Sequence, residues 1–481
     1  MECYFKDIFE KDAATLVLNI ADDGTFCKKF KASYPIHQRF HTDESKVDFN
    51  EISFYACPGE TIDITIKPNV KGQYVCYYNN GSSKDVERWL NSNLNFYEIA
   101  FPLHVFKGKV SEMREMAERT WKNMLHRLQV TSQRRHFTPL EMQLALADLQ
   151  VYFVYGVLNY AEHYETAIMT TEEHNGEYHQ VVLDNLELED LRKIENYLVL
   201  HRVDFDNPLL LISMDCYFAL NRIQYAKPVM SAYFKQLDDY YAVMREMLGS
   251  KDNTLMSQLC VYQKMLTEFK FWQTEKDRIL EALKKLPDLS DSQKESALNN
   301  IPTIESKYAM VSNTFTHPYV KAKADEFYHR TMAQTELSTP LPDAPMADLI
   351  RSLCAKYPGR ILFIDFWGMS CGPCRGAIED SKNLRAEIAK RNDVKLVFIA
   401  GERTTEGSDA YKKYVAEWLA DEETVCVTDA DFTRLQELFR FNGIPHYETI
   451  TSDCRRVRDD LRISGYDKFD YELEQLKEKL K

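Results

Sequence analysis

Glycine and proline are scarce, at 16 each in 481 residues, together about 7% of the chain against a usual ~12%. That shortage excludes a collagenous or low-complexity chain and points to long helices joined by short loops. Long apolar runs are missing too. The best candidate, residues 207–220, is interrupted by Asp215, so no stretch reaches the roughly 18 residues a membrane-spanning helix needs. There is no basic block, and the formal charge is −14, which excludes nucleic acid and anionic membrane surfaces as expected partners. The excess is uneven: residues 346–481 hold 22 Lys/Arg and 25 Asp/Glu, leaving −11 on residues 1–345. Solubility accounts for it. Met1-Glu2-Cys3 has neither the basic nor the apolar part of a secretory leader, so the expectation is an intracellular protein or one whose leader has been removed. Eleven cysteines spread from Cys3 to Cys454 are too sparse for a disulfide-stapled scaffold.

What is present is a full globular core, with 44% hydrophobic and 12% aromatic residues. Glycine placement divides the chain. Residues 1–108 hold five, residues 109–345 three and residues 346–481 eight. The first stretch reads as β. Leu16, Leu18 and Ile20 alternate with small or polar neighbours before Asp23-Gly24, and Ile62, Ile64 and Ile66 alternate after Cys57-Pro58-Gly59, the pattern of strands with one wet face. The middle reads as helical. Thr138-Pro139-Leu140-Glu141 and Ser290 with Gln293 are capping-box signals ahead of helical runs. Tyr152, Tyr155, Tyr160 and Tyr164 lie at near-helical spacing, which assigns them to a core face rather than a ligand site. No repeat at 30–45 residues suggests a solenoid.

Residues 338–345 carry three prolines in six positions and read as a linker. Beyond it the pattern is β-α-β-α-β-α-β-β-α. Residues 361–366 and 395–400 are continuous apolar runs of the buried parallel-strand type. Helices are expected over 373–390, 408–419, 431–441 and 467–480, and strands over 446–450 and 457–463.

The chemistry sits in Cys371-Gly372-Pro373-Cys374, which follows a buried strand and opens a helix. A thiol at a helix N-terminus faces unpaired N–H groups and the positive end of the dipole, both favouring thiolate, and only thiolate attacks a disulfide. Cys371 is expected to be the exposed nucleophile and Cys374 the shielded resolver. Pro373 suits the first turn, and Gly372 leaves the approach open. Arg375 stands where c-type haem attachment needs His, and no second Cys/His pair is close enough for structural zinc. An inert pair stays open. No metal or organic cofactor is expected, only the Cys371–Cys374 disulfide itself.

Residues 366–374, Phe-Trp-Gly-Met-Ser-Cys-Gly-Pro-Cys, resemble the thioredoxin superfamily signature, in particular that of the TlpA/ResA-type thiol–disulfide oxidoreductases of bacterial envelopes. Residues 408–428 are similar to that family's insertion after the motif helix. Gly443-Ile444-Pro445, with Pro445 74 residues after Cys371, is similar to its cis-proline loop. The resemblance implies a cis Pro445, with Ile444 offering backbone hydrogen bonds to an extended substrate. Asp365 stands where thioredoxin itself carries a buried carboxylate and many TlpA-type sequences a neutral residue. That resemblance implies a carboxyl raised in pKa by desolvation and able to accept the resolving thiol's proton, the alternative being a strand-end Asp with local hydrogen bonds. Glu402 is a further acid–base candidate, and Trp367 is expected to pack beside the motif. His446 departs from the pattern, either tuning the thiolate as a nearby cation or capping a strand. Cys354, Cys426 and Cys454 read as bystanders, Cys454 replacing the Gly expected in a hairpin turn.

The expectation is therefore multidomain: a small β-sandwich-like domain over 1–80, an all-α domain over 81–337, the linker 338–345, and a C-terminal α/β thioredoxin fold over 346–481. The implied function is thiol–disulfide exchange on protein clients, with a thioredoxin-like reducing poise, an upstream electron donor, and a place in the bacterial envelope or periplasm (alternatively the cytoplasm). The rivals are an envelope binding or scaffold protein whose upstream domains do the work while the dithiol is regulatory or vestigial, and a peroxidase.

Overall fold

Seven consecutive buried residues, Ile361–Trp367, form an inner strand of a six-stranded mixed sheet near the C-terminal end of the chain. Across the sheet the strands run Glu423–Cys426, Val394–Ala400, Ile361–Trp367, His446–Ile450, Arg455–Val457 and Ser338–Pro340. The first three are parallel to one another, and the other three join antiparallel. A strand buried on both faces needs no polar alternation, which is why the sequence there is continuously apolar. The two-residue period still sorts its side chains. Ile361, Phe363 and Trp367 enter one core with Cys374, Ile378, Leu473 and Leu476. Leu362, Ile364 and Phe366 enter the other with Ile350, Leu435 and Phe439. Each buried Phe, Leu or Ile contributes about 1.5–3 kcal/mol relative to exposure.

This computed structural model describes residues 1–10, 14–42, 49, 51–174, 177–182, 189–232, 235–284, 290–401 and 408–480. By contact the chain divides into two units. One gathers Met1–Lys6, Asp12–Lys28 and His329–Lys481; the other gathers Asp7–Lys11 and Lys29–Tyr328. These units do not coincide with the consecutive division at 80/81 and 338–345 read from the sequence. The N-terminal strands Glu2–Phe5 and Ala14–Val17 pair antiparallel and pack in the unit that holds the six-stranded sheet. The Val17 amide donates to Glu437 Oε1 (3.4 Å), the Thr433 hydroxyl donates to Glu2 Oε2 (3.2 Å), and Lys28 pairs with Glu437. Composition carries no trace of a pairing that spans more than four hundred residues.

Residues 338–345 likewise do more than link. Ser338–Pro340 is the edge strand beside Arg455–Val457, and Arg455 grips the Ser338 carbonyl (2.8 Å) and hydroxyl (3.0 Å). Proline is tolerated there because an edge strand has a side that need not donate. The long helix expected over 373–390 is two, Gly372–Asp380 and Lys382–Ile388, hinged at Ser381. The strand expected over 457–463 lies instead at Arg455–Val457.

In the second unit the strands Ile36–His41 and Glu51–Ala56 pair antiparallel, as do Ile64–Pro68 and Tyr74–Tyr78. Helices then dominate, including Val110–Arg135, Pro139–Ile168 and Leu255–Lys284. The capping box at Thr138 forms, with the Glu141 amide donating to the Thr138 hydroxyl (3.2 Å) and the Thr138 amide to Glu141 Oε2 (2.8 Å). Tyr152, Tyr160 and Tyr164 are buried, as the core reading requires. The helical middle also holds a hairpin, Met169–His174 with Glu177–Val182, whose Thr/Glu-rich first strand gave no apolar alternation to read. No described helix is long and apolar enough to cross a membrane.

Candidate functional site

The strand Ile361–Trp367 delivers the chain to Gly368, and the next helix begins at Gly372 with Cys371 as its N-cap residue. The Cys371 sulfur accepts the Cys374 amide hydrogen at 3.2 Å. A side chain capping the first turn in this way satisfies one of the orphan N–H groups. Cys371 and Cys374 are joined as a disulfide, Cα to Cα 5.3 Å. Cys371 is half-buried and Cys374 is 1% exposed, so one sulfur is open to a partner and the other is covered. Pro373 occupies the first turn, where its missing N–H costs nothing. A side chain at Gly372 would meet nothing within 4 Å, leaving free surface beside the open sulfur.

The Ile444–Pro445 peptide bond is cis. Pro445 and Gly443 are exposed, while Ile444 packs against both cores of the sheet. The strand that follows runs beside Ile361–Trp367, with His446 opposite Phe366 and Tyr447 opposite Asp365.

Asp365 is 1% exposed and lies between Phe363 and Trp367 on the face that carries Cys374. Its Oδ2 accepts the Tyr466 hydroxyl at 2.7 Å, and its Oδ1 has no hydrogen-bond partner. Burial pushes its pKa up to about 7; the Tyr466 bond and the Arg385 charge oppose the rise without cancelling it. A proton is therefore gained or lost there near neutrality.

Trp367 is fully buried, its ring beside those of Tyr411 (5.7 Å) and Tyr414 (5.4 Å). This fixes the last residue of the strand before the dithiol turn. Glu402 falls outside the described residues.

His446 is turned away from the dithiol face. One step past Pro445, strand alternation sends its ring onto Phe441 (4.1 Å, 8° between planes) and near Phe366 (5.9 Å), in the opposite core. Its Nε2 meets Glu448 Oε1 at 2.8 Å. Glu448 is fully buried and also receives Arg456 (2.7 and 3.0 Å) and Arg462 (2.9 Å), which with the His446 hydrogen bond hold its carboxyl low against the burial that would raise it. The geometry gives the thiolate-tuning reading of His446 no support. It makes His446 part of a hydrogen-bonded cluster around the buried Glu448.

Sequence reasoning missed three residues. Tyr466 holds Asp365 from 101 residues away, and no spacing signal connects them. Tyr447 stacks on Phe363 (5.3 Å, 18°); only the alternation after Pro445 could have placed it. Arg385, 3% exposed, donates to the Ile378 and Trp418 carbonyls (3.2 and 2.9 Å) and pairs with buried Glu422 (3.3 Å). Nothing in the sequence marks it as buried.

No cluster of metal-ligating side chains exists among the described residues. No protein-family profile and no curated protein matches the chain. Among solved structures it is similar to the thioredoxin domain of a thiol-disulfide oxidoreductase from Bacteroides vulgatus, at 18% identity over 25% of this chain and 83% of that one, TM-score 0.22. It is also similar to a thiol:disulfide interchange protein from Bacteroides sp., at 17% identity over 30% and 91%, TM-score 0.22.

Proposed function

We propose that residues 346–481 are a thioredoxin-like domain of the TlpA/ResA type that exchanges thiols and disulfides with protein clients, in the reducing direction. One observation carries the reading: a half-buried sulfur caps a helix N-terminus and is bonded to a covered sulfur three residues on. In the reduced protein the Cys371 thiolate attacks a client disulfide, forming a mixed disulfide and releasing the client's other sulfur as thiolate. Cys374 gives its proton to the Asp365 carboxylate and attacks the Cys371 sulfur. The client leaves with its second thiolate, and the Cys371–Cys374 disulfide remains. Two electrons have passed to the client. An outside dithiol donor must return them before the next cycle. The resemblance favours the bacterial envelope as the setting, with the cytoplasm as alternative.

The Gly-Pro interior of the motif supports a potential near the thioredoxin value of about −270 mV, away from the oxidant end near −120 mV. Equilibration of the full chain with graded glutathione buffers, read by alkylation and mass, measures it. A pair that exchanges and settles near the lower value agrees with the proposal. A pair that does not exchange, or settles near the upper one, contradicts the reductase reading.

A further inference from the structure

The strands Ile36–His41 and Glu51–Ala56 pair with Arg39 directly opposite Ser53. His37, two residues before Arg39, shares a sheet face with both. Its Nε2 lies 3.2 Å from the Ser53 hydroxyl. Its Nδ1, on the other side of the ring, lies 3.7 Å from Oδ2 of Asp148 on the helix Pro139–Ile168. A hydroxyl, an imidazole and a carboxyl thus stand in line, with one partner for each ring nitrogen.

Burial grades the three. His37 and Asp148 are 7% and 8% exposed, whereas Ser53 is half-buried. A reagent from solvent therefore meets the hydroxyl first, with the base and the carboxyl dry behind it. Trp89 lies against the imidazole, ring centroids 4.4 Å apart, and the Tyr78 hydroxyl fixes the Ser53 carbonyl at 2.6 Å. Packing alone does not account for the arrangement. The His37 Nδ1 is buried without a hydrogen-bond partner, a cost that an apolar residue would avoid. Catalytic hydrogen bonds are often this long before substrate arrives, and tighten in the reacting complex.

We propose that Ser53, His37 and Asp148 form a second active site, independent of the dithiol, that hydrolyses small carboxylic esters through an acyl-serine intermediate. His37 takes the Ser53 proton as the oxygen attacks the ester carbonyl, and returns it to the departing alcohol. Water then attacks the acyl-serine, His37 again taking the proton and giving it back to Ser53 as the carboxylic acid leaves. One ester and one water become one acid and one alcohol. Asp148 touches no reacting atom; it is a positioning residue that holds the Nδ1–H tautomer and faces the imidazolium. Arg39, whose Nη1 donates to Glu51 Oε2 at 3.1 Å, brings positive charge beside the tetrahedral oxyanion.

Protonation states agree with these roles. Burial and the Arg39 charge push the His37 pKa down to about 3, so the ring is a free base at neutrality. Burial, with the Asp215 charge adding to it, pushes Asp148 up to about 7. Besides Ser53, the titratable or charged groups facing the pair are Arg39, Asp215 and, one turn along the helix, Tyr152. Ionisation of Asp148 should therefore switch the site on as pH rises through about 7.

The full chain is treated with an uncharged fluorophosphonate, digested with trypsin and read by peptide mass. Residues 47–71 form one peptide whose only serine is Ser53. The expected result is one phosphonyl group on Ser53, added faster as pH rises through about 7. In Asp148→Asn with circular dichroism retained, labelling should be slower by about 10²-fold and lose that rise. Release of p-nitrophenolate from p-nitrophenyl acetate should fall by about 10²-fold in Ser53→Ala. An unlabelled Ser53 in the folded parent overturns the proposal, whatever the variants do. So does equal p-nitrophenolate release from parent and Ser53→Ala, or a pH rise in labelling that survives in Asp148→Asn.

Discussion

The Tyr466 hydroxyl donates a 2.7 Å hydrogen bond to Oδ2 of Asp365, and the other oxygen of that buried carboxyl has no hydrogen-bond partner. Burial raises its pKa to about 7, and the single Tyr466 bond opposes that rise without cancelling it. In the proposed cycle that oxygen is the one with capacity to take a proton.

Replacing Asp365 with Asn tests this in two ways. The release of client from the mixed disulfide should accelerate as pH rises through about 7 in the parent, and should be slower by about 10²-fold and flat in the variant. Stopped-flow fluorescence of a labelled client reads it. Stability should move the other way. The unfolded carboxyl loses its proton near 3.8 and the folded one near 7, so unfolding releases a proton between those values and stability falls as pH rises through the window. The whole penalty is of order 4 kcal/mol. Urea unfolding at pH 5 and pH 8 should show this slope in the parent, and Asp365→Asn should lack its share.

Arg385 links the same carboxyl to the packing beneath the dithiol helix. Arg385→Met leaves Glu422, 6% exposed at its side chain, buried without its cation, at an expected cost of about 3–5 kcal/mol. Adding Glu422→Gln should return part of that loss in the urea midpoint. Because the Arg385 charge lowers the Asp365 pKa, the double variant should also shift the pH profile of client release upward.

Glu437 receives the Val17 amide and pairs with Lys28. Glu437→Ala should therefore loosen the N-terminal hairpin by about 1 kcal/mol, read as roughly fivefold faster amide hydrogen exchange at Val17. Exchange in the strand Ile361–Trp367 should not change. Equal acceleration in both strands would show that the hairpin and the sheet open together.

The sequence makes the dithiol legible because three local signals coincide: a continuous apolar strand, Pro373 in a first helical turn, and cysteines three residues apart. The position of Asp365 is legible for the same reason, since any charge inside Ile361–Trp367 has to be buried. What holds these residues is not local. Tyr466, Arg385 and the Val17–Glu437 bond reach their partners through folding alone. Residues 338–345 misled because proline signals a linker and an edge strand equally well. His446 stood open between tuning the thiolate and capping a strand because only strand alternation after Pro445, which puts its ring on Phe441, separates the two.

The central claim is that Cys371 attacks and Cys374 resolves. In Cys374→Ser the attacking thiolate remains but the internal step that frees the client is gone, so release must wait for an outside thiol. Non-reducing electrophoresis of the full chain, its Cys374→Ser variant and its Cys371→Ser variant after exposure to a disulfide-bonded protein such as insulin measures this directly. The account predicts covalent, dithiothreitol-sensitive adducts that accumulate on Cys374→Ser, are fleeting on the parent and are nearly absent on Cys371→Ser. No covalent adduct on Cys374→Ser, or equal adducts on both variants, would contradict it.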